Sequence, residues 1–463
     1  MSPPLEGNPP VSYWCATLLS AAGPAPAREH GVRLEVGPDG RISKVELDGG
    51  PAPGDIGLHT VLPGMANAHS HAFHRVLRGR THTADDGDFW GWRQAMYRAA
   101  AVLDPERYYA LARAVFAEML VTGWTAVGEF HYLHHRADGT PYAPAHAMER
   151  AVVAAARDVG IRLVLLDTCY LQAGIGDRPL EPGQRAFGDG TAAAWLRRWT
   201  SLREELGADP DRRVSLGAAI HSVRAVPPEA IAEIVAGLPA GVPLHVHVSE
   251  QPQENADCLA AYGVTPTALL DRLGALDRPL AVVHATHLTD EDVARLGAAG
   301  VIVVMCPTTE ADLGDGIGCA RDLAGAGARI ALGSDQNAVV DPFREMRDLE
   351  MGQRLASGRR ARFDPAELLA AATTHGYEAL GLGAARLRVG DLADLVELRS
   401  TSVTVGCAPE QLPLVATAGD VGRVVVHGQI VADGGRLASG EDPAALLRAA
   451  LGDLPSSRHQ RAR

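Results

Sequence analysis

"TVLPGMANAHSHAFHR" (Thr60–Arg75) is an apolar run that ends in histidines, with His69, His71 and His74 inside six residues. The run does not alternate apolar with polar, so it does not read as a strand with one wet face. A continuous apolar run fits a strand covered on both faces, as in parallel sheets flanked by helices. The same form recurs down the chain: "TAVGEFHY" from Thr125, "RLVLLDTCY" from Arg162, "RVSLGAAIH" from Arg213, "PLHVHVSE" from Pro243, "LAVVHATH" from Leu280, "VIVVMCP" from Val301 and "RIALGSD" from Arg329. Longer Ala/Leu/Arg-rich segments separate the runs and read as helices. In "DPERYYALARAVFAEMLVTG", Asp104 is placed to cap, Pro105 opens the first turn and Gly123 ends the helix. Eight strand–helix units without a nucleotide fingerprint predict an α/β fold, a closed (β/α)₈ TIM barrel over residues 60–384. A doubly wound open sheet is the fallback.

The ends read differently. "GVRLEVGPDGRISKVEL" (Gly31–Leu47) and "RVVVHGQIVADGGRL" (Arg423–Leu437) are hairpins with turn residues between strands. Residues 1–59 and 385–450 are therefore expected to build one small β-sandwich domain from both termini. The tail 451–463, polar and basic in "SSRHQRAR", is expected to be disordered.

Composition narrows the function. The 463 residues are 46% hydrophobic and 21% charged, ordinary for a globular protein. A net charge of −13 disfavours nucleic-acid and anionic-membrane partners. No signal-like start and no run of about 18 apolar residues is present, so a cytoplasmic location is expected. The scattered Cys15, Cys169, Cys258, Cys306, Cys319 and Cys407 read as free thiols. Lys44 is the single lysine. It lies outside the expected barrel, which removes a P-loop, a Schiff base and a lysine carbamate bridging two metals.

Polar residues gather at the C-terminal ends of the runs, the active-site face of such a barrel. His69 and His71, two apart on a strand, point the same way. The fifth run ends in His245-Val246-His247 followed by Ser249 and Glu250, the sixth in His284, and the eighth in Ser334-Asp335. Imidazoles and a carboxylate from four strand ends suit a borderline cation such as Zn²⁺. His74, past the strand end, is not expected to bind it. His131, His134, His135 and His146 read individually as solvated or structural.

On these residues the chain resembles the amidohydrolase superfamily over nearly its whole length. The resemblance implies metal ligands His69, His71, His247 and Asp335, with His284 and Asp335 acting on the attacking water. It implies a mononuclear site, since no barrel lysine can bridge. "HVSE" matches the HxxE motif of the deaminase branch, in which Glu250 carries protons. "HSHAFHR", "FWGWRQAMYR", "GEFHYLHH", "IHSVRAV", "HVSEQ" and "GSDQNAVVDPFREMRDLEMGQRL" together resemble the N-formimino-L-glutamate deiminase family of histidine degradation. That family's reaction is hydrolysis of the formimino group to formyl with release of ammonia. The resemblance assigns His74, Arg93, Tyr132, His221 and Arg224 to substrate binding and implies a homodimer. Two arginines fit a dicarboxylate substrate, because each guanidinium can grip a carboxylate with two N–H groups. At His74 some members carry glutamine, which puts the detailed contact there in doubt. The alternatives are a deaminase of a purine, pterin or triazine ring, which would use the aromatic Phe89, Trp90 and Trp92, and a metal-binding protein without activity.

Overall fold

The computed structural model describes residues 11–21, 27–81, 89–208, 212–399 and 406–454. Two eight-stranded sheets organise them. Eight parallel strands follow one another in chain order: β5 (Met65–Ser70), β6 (Trp124–His131), β7 (Arg162–Cys169), β8 (Val214–Ser222), β9 (Leu244–Val248), β10 (Leu280–His284), β11 (Ile302–Met305) and β12 (Arg329–Leu332). Every residue of β5, β6, β7, β9, β10 and β11 is buried, which is why these strands read as unbroken apolar runs. The sheet closes between its first and last strands. The amide of His71 donates to the Asp335 carbonyl at 2.9 Å, and the Asp335 amide donates to the His69 carbonyl at 3.0 Å. The fold is the expected (β/α)₈ barrel, and its seam is made by site residues.

The helices lie where the sequence places them. On Pro105–Thr122 the Asp104 carboxylate accepts from the Arg107 amide, and Gly123 stops the helix at φ 107°.

The second sheet has the order β16-β15-β14-β13-β4-β1-β2-β3. Its strands are β1 (Val11–Ser20), β2 (Ala27–Val36), β3 (Ile42–Glu46), β4 (Ile56–Pro63), β13 (Leu395–Leu398), β14 (Val421–Val426), β15 (Gln429–Asp433) and β16 (Arg436–Leu437). Both termini contribute, and both expected hairpins are present. Successive side chains serve different cores: on β14, Val425 packs with Tyr13, Leu34 and Leu395, while Val424 and Val426 join the barrel core. Lys44 sits on β3, ion-paired with Glu46 at 2.6 Å.

Two boundaries move. Thr60–Pro63 belongs to β4, which pairs with β1 and β13; the barrel begins at Met65. Gly64 is the joint. A Cβ there would come within 2.5 Å of Thr125 Oγ1 and 2.7 Å of Asp394 Cβ, so only glycine lets the chain cross between the sheets. At the other end, the helix Pro443–Gly452 follows the terminal strands and packs on the helix Pro105–Thr122. It enters the segment expected to be tail; residues 455–463 of that tail lie outside the described residues. The joint between sheets is fixed by Arg162, whose guanidinium grips Asp394 at 2.8 and 2.9 Å with both groups buried. Tyr377 Oη and the His427 amide donate to the same carboxylate. Arg162 opens β7, so this anchor lies at the strand end opposite the histidines. Among the described residues no helix is long and apolar enough to cross a membrane, and all six cysteines are free.

Candidate metal and active site

The C-terminal strand ends, with the segments that follow them, bring all eleven expected site residues to one place. One ligand atom from each of His69, His71 and His247 lies within 4.8 Å of the others, as do those of His69, His284 and Asp335. Asp335 Oδ1 is 3.5 Å from His69 Nε2 and 3.4 Å from His71 Nε2, and His247 Nε2 is 3.1 Å from His69 Nε2.

The outer ring nitrogens explain what this cluster is. His71 Nδ1 lies 2.8 Å from the Phe130 carbonyl, and His247 Nδ1 lies 2.8 Å from the His221 carbonyl. A carbonyl only accepts, so both Nδ1 atoms carry hydrogen and both Nε2 atoms turn lone pairs inward. Burial, followed by the neighbouring imidazoles, pushes His71 down to about 3 and holds His69 and His247 far below their ordinary value. Three neutral imidazoles and a carboxylate raised by burial converge on one point. A divalent cation fits this donor set, because it needs lone pairs and supplies the charge that Asp335 lacks there.

Backbone strain shapes the mouth. Ser249, His284, Ala285 and Asp335, at or just past the ends of β9, β10 and β12, have φ of 51°, 68°, 52° and 43°. Non-glycine residues rarely sit in the left-handed region, and such strain concentrates at functional sites.

His284 Nε2 lies 3.9 Å from Asp335 Oδ2 and 3.8 Å from Glu250 Oε1. Behind it, Nδ1 faces Glu310 at 3.4 Å. Burial would strip its proton, but the Glu310 contact and the charges of Glu250 and Asp335 outweigh burial and lift it to about 10.

One wall of the pocket holds Trp92, Arg93, Tyr132, His221 and Arg224. Arg93 projects from the helix Phe89–Ala100 to Tyr97 Oη at 2.5 Å and Tyr170 Oη at 3.1 Å. The His221 ring packs edge-on to Tyr170. Arg224, expected to bind substrate, also meets two carboxylates of its own chain. Its Nη2 donates to Glu250 Oε2 at 2.7 Å and its Nε lies 3.3 Å from Glu254. A buried guanidinium without a counter-charge is costly, so it takes the nearest carboxylates.

His74 comes nearer the ligands than expected. The chain turns into a 3₁₀ helix over Ala72–Leu77, which folds His74 back so that its ring centroid is 4.4 Å from that of His71. A ring nitrogen of His74 forms a ligand-distance set with His71 and Asp335, and its Nε2 is 2.8 Å from Tyr132 Oη.

His131, His134, His135 and His146 are all buried; none is solvated. His131, His134 and Glu149 also meet within ligand distance. Glu310 and Glu254 lie outside the quoted motifs and Glu129 lies inside "GEFHYLHH"; none of the three was expected at the site. Glu129 Oε1 accepts from the Ala72 amide at 2.6 Å, fixing the turn after His71, and burial lifts its carboxyl to about 8.

Known proteins resemble this chain over nearly its whole length. A profile of the Amidohydrolase family matches residues 60–431. Formimidoylglutamate deiminase of Pseudomonas aeruginosa is 37% identical over 91% of this chain and 96% of its own. A 5-methylthioadenosine/S-adenosylhomocysteine deaminase of Natronomonas pharaonis is 30% identical over 90% of this chain and 93% of its own. An amidohydrolase of Brucella melitensis superposes with TM-score 0.86 at 33% identity, covering 96% of this chain and 99% of that one. A zinc-bound adenosine deaminase of Xanthomonas campestris superposes with TM-score 0.78 at 26% identity over 95% and 96%. A family match spanning most of the chain, laid over a barrel seam built from His69, His71 and Asp335, leads to one conclusion: the chain belongs to the amidohydrolase family.

Proposed function

We propose that this protein hydrolyses the formimino group of N-formimino-L-glutamate, giving N-formyl-L-glutamate and ammonia. One observation carries the reading. A neutral three-imidazole donor set faces a pocket whose wall holds two guanidiniums, Arg93 and Arg224. That pairing suits a substrate with an electrophilic carbon at one end and two carboxylates at the other. The 37% identity to formimidoylglutamate deiminase supports it.

A single divalent cation, zinc by its donors, would be held by His69, His71, His247 and Asp335. When bound it would polarise water, lowering its pKa from about 16 toward 7. The side chains do the rest. Asp335 accepts the proton of the attacking water, and His284 hydrogen-bonds the attacking oxygen, held by Glu310 behind it. Glu250, ionised beside Arg224 at rest, and Asp335 relay to the substrate imino nitrogen the two protons that the attacking water loses. The oxygen adds to the formimino carbon, the C–N bond breaks, and nitrogen leaves as ammonia. Arg93, Arg224, His221, Tyr132 and His74 hold the glutamate portion.

Ring deamination is the second reading, favoured by the 30% identity to a nucleoside deaminase and by Phe89 and Trp92 in the pocket lining. Ammonia release decides between them. N-formimino-L-glutamate is expected to be turned over and guanine and adenosine not; the reverse pattern overturns the proposal. Glu250→Gln is expected to retain metal and lose about 1000-fold or more in kcat, since proton transfer has no substitute there. Unchanged activity removes Glu250 from the reaction.

A further inference from the structure

Glu254 is buried, 1% exposed, in the first turn of the helix Pro252–Tyr262. It lies beside the site but does not line the pocket, whereas Glu250 and Arg224 do. Neither of its carboxylate oxygens makes a well-formed hydrogen bond, and neither does Arg224 Nε. The two groups face each other at 3.3 Å, close enough for a strong ion pair but imperfectly aligned. Arg224 is therefore flanked by two carboxylates. Glu250 takes its Nη2 and Glu254 stands at its Nε.

The arrangement poses a mechanical requirement. Glu250 must carry a proton to the leaving nitrogen, so Arg224 has to release it without leaving the pocket wall. We propose that Glu254 is a positioning residue that retains Arg224 from the Nε side while the Nη2 side exchanges Glu250 for a substrate carboxylate. The guanidinium is planar and presents separate N–H groups along its edges, so one carboxylate can be replaced while another stays. Glu254 reaches no reacting atom; it acts through Arg224. The inference rests on the reading of a carboxylate-bearing substrate.

The test uses the full-length, metal-loaded protein. Glu254→Gln and Glu254→Ala are each checked for metal content and Tm. KM for N-formimino-L-glutamate is expected to rise about 10-fold or more, with kcat changed by less than about threefold, the scale of one lost charge-assisted contact. Formamidine, an amidine with no carboxylate, is expected to react equally in wild type and variants. In an Arg224→Ala background, Glu254→Gln is expected to add nothing to KM. A folded, metal-replete Glu254→Gln with wild-type KM overturns the inference, and so does an equal KM rise with Arg224 removed. Glutarate binding by titration calorimetry separates the inference from the substrate reading, because it needs no turnover. About 10-fold weaker binding in Glu254→Gln supports the positioning role even if N-formimino-L-glutamate is not a substrate. Equal binding in both proteins overturns it, and a wild type that binds no glutarate overturns both.

Discussion

Two clusters in this barrel place histidines and a carboxylate within ligand distance of one another, and their hydrogen bonds make them opposites. In His69, His71 and His247 the outer nitrogens of His71 and His247 meet carbonyls, so inner lone pairs point at a shared centre. In His131, His134 and Glu149 the same count of ligands is centred on a protonated ring, that of His134. His134 Nε2 meets the Thr168 carbonyl at 2.9 Å, and its Nδ1 meets Glu149 at 2.8 Å. Arg198 donates to Glu149 at 2.9 Å and to Asp167 at 2.7 and 2.9 Å, so Glu149 stays ionised and accepts. With acceptors on both sides, His134 is an imidazolium. The first cluster wants a cation; the second already holds two, His134 and Arg198. Ligand spacing alone does not tell them apart, but the identity of each nitrogen's partner does.

The largest expected effect breaks the first cluster. His247→Ala removes one inward lone pair, and metal analysis is expected to fall to background, with kcat/KM down about 1000-fold or more. Full metal content in this variant would mean the ion lies elsewhere. Glu149→Gln breaks the second cluster without touching the first. It leaves His134 and Arg198 short of one buried counter-charge, which costs about 3 kcal/mol by chemical denaturation. Metal content is expected to be unchanged. A loss of bound metal would make the second cluster a metal site after all.

The difference between the clusters also marks what the sequence could show. His69 and His71 were legible because a strand aims residues i and i+2 at one side, and because the run before them is unbroken. The barrel was legible for the same reason. The joint at Gly64 was not: the end of β4, residues 61–63, and all of β5 are buried, so no polar residue marks the point in "TVLPGMANAH" where one sheet gives way to the other. The partners of His134 were hidden by distance in the chain. Glu149 is on the helix Ala147–Val159 and Arg198 on Ala192–Gly207, and only the packing of those helices over β7 and β8 makes the histidine a cation. Glu310 and Glu254 were hidden likewise. Each sits on a helix behind a strand end, where a carboxylate in the first turn reads as a favourable helix-end charge.

The smallest effect gives the sharpest contrast, through its sign. Burial and Arg198 oppose the charge on His134, but Asp167 and Glu149 outweigh them and raise its pKa above the usual 6.5. A raised folded pKa means that the charged ring stabilises fully below about 6.5, and that this stability is lost as pH rises through the higher folded value. His134→Gln keeps a side-chain donor but never the charge. Its deficit against wild type is expected to be greatest near pH 6, about 1–2 kcal/mol, and to shrink as pH rises above neutrality. Tm measured across that range reads it directly. A metal-binding histidine gives the opposite slope, since it must lose its proton to bind, so the wild-type advantage would grow with pH and with added zinc. A deficit that increases toward high pH would place His134 with His71 and His247, and the distinction between lone-pair and proton-filled clusters would fail at its clearest case.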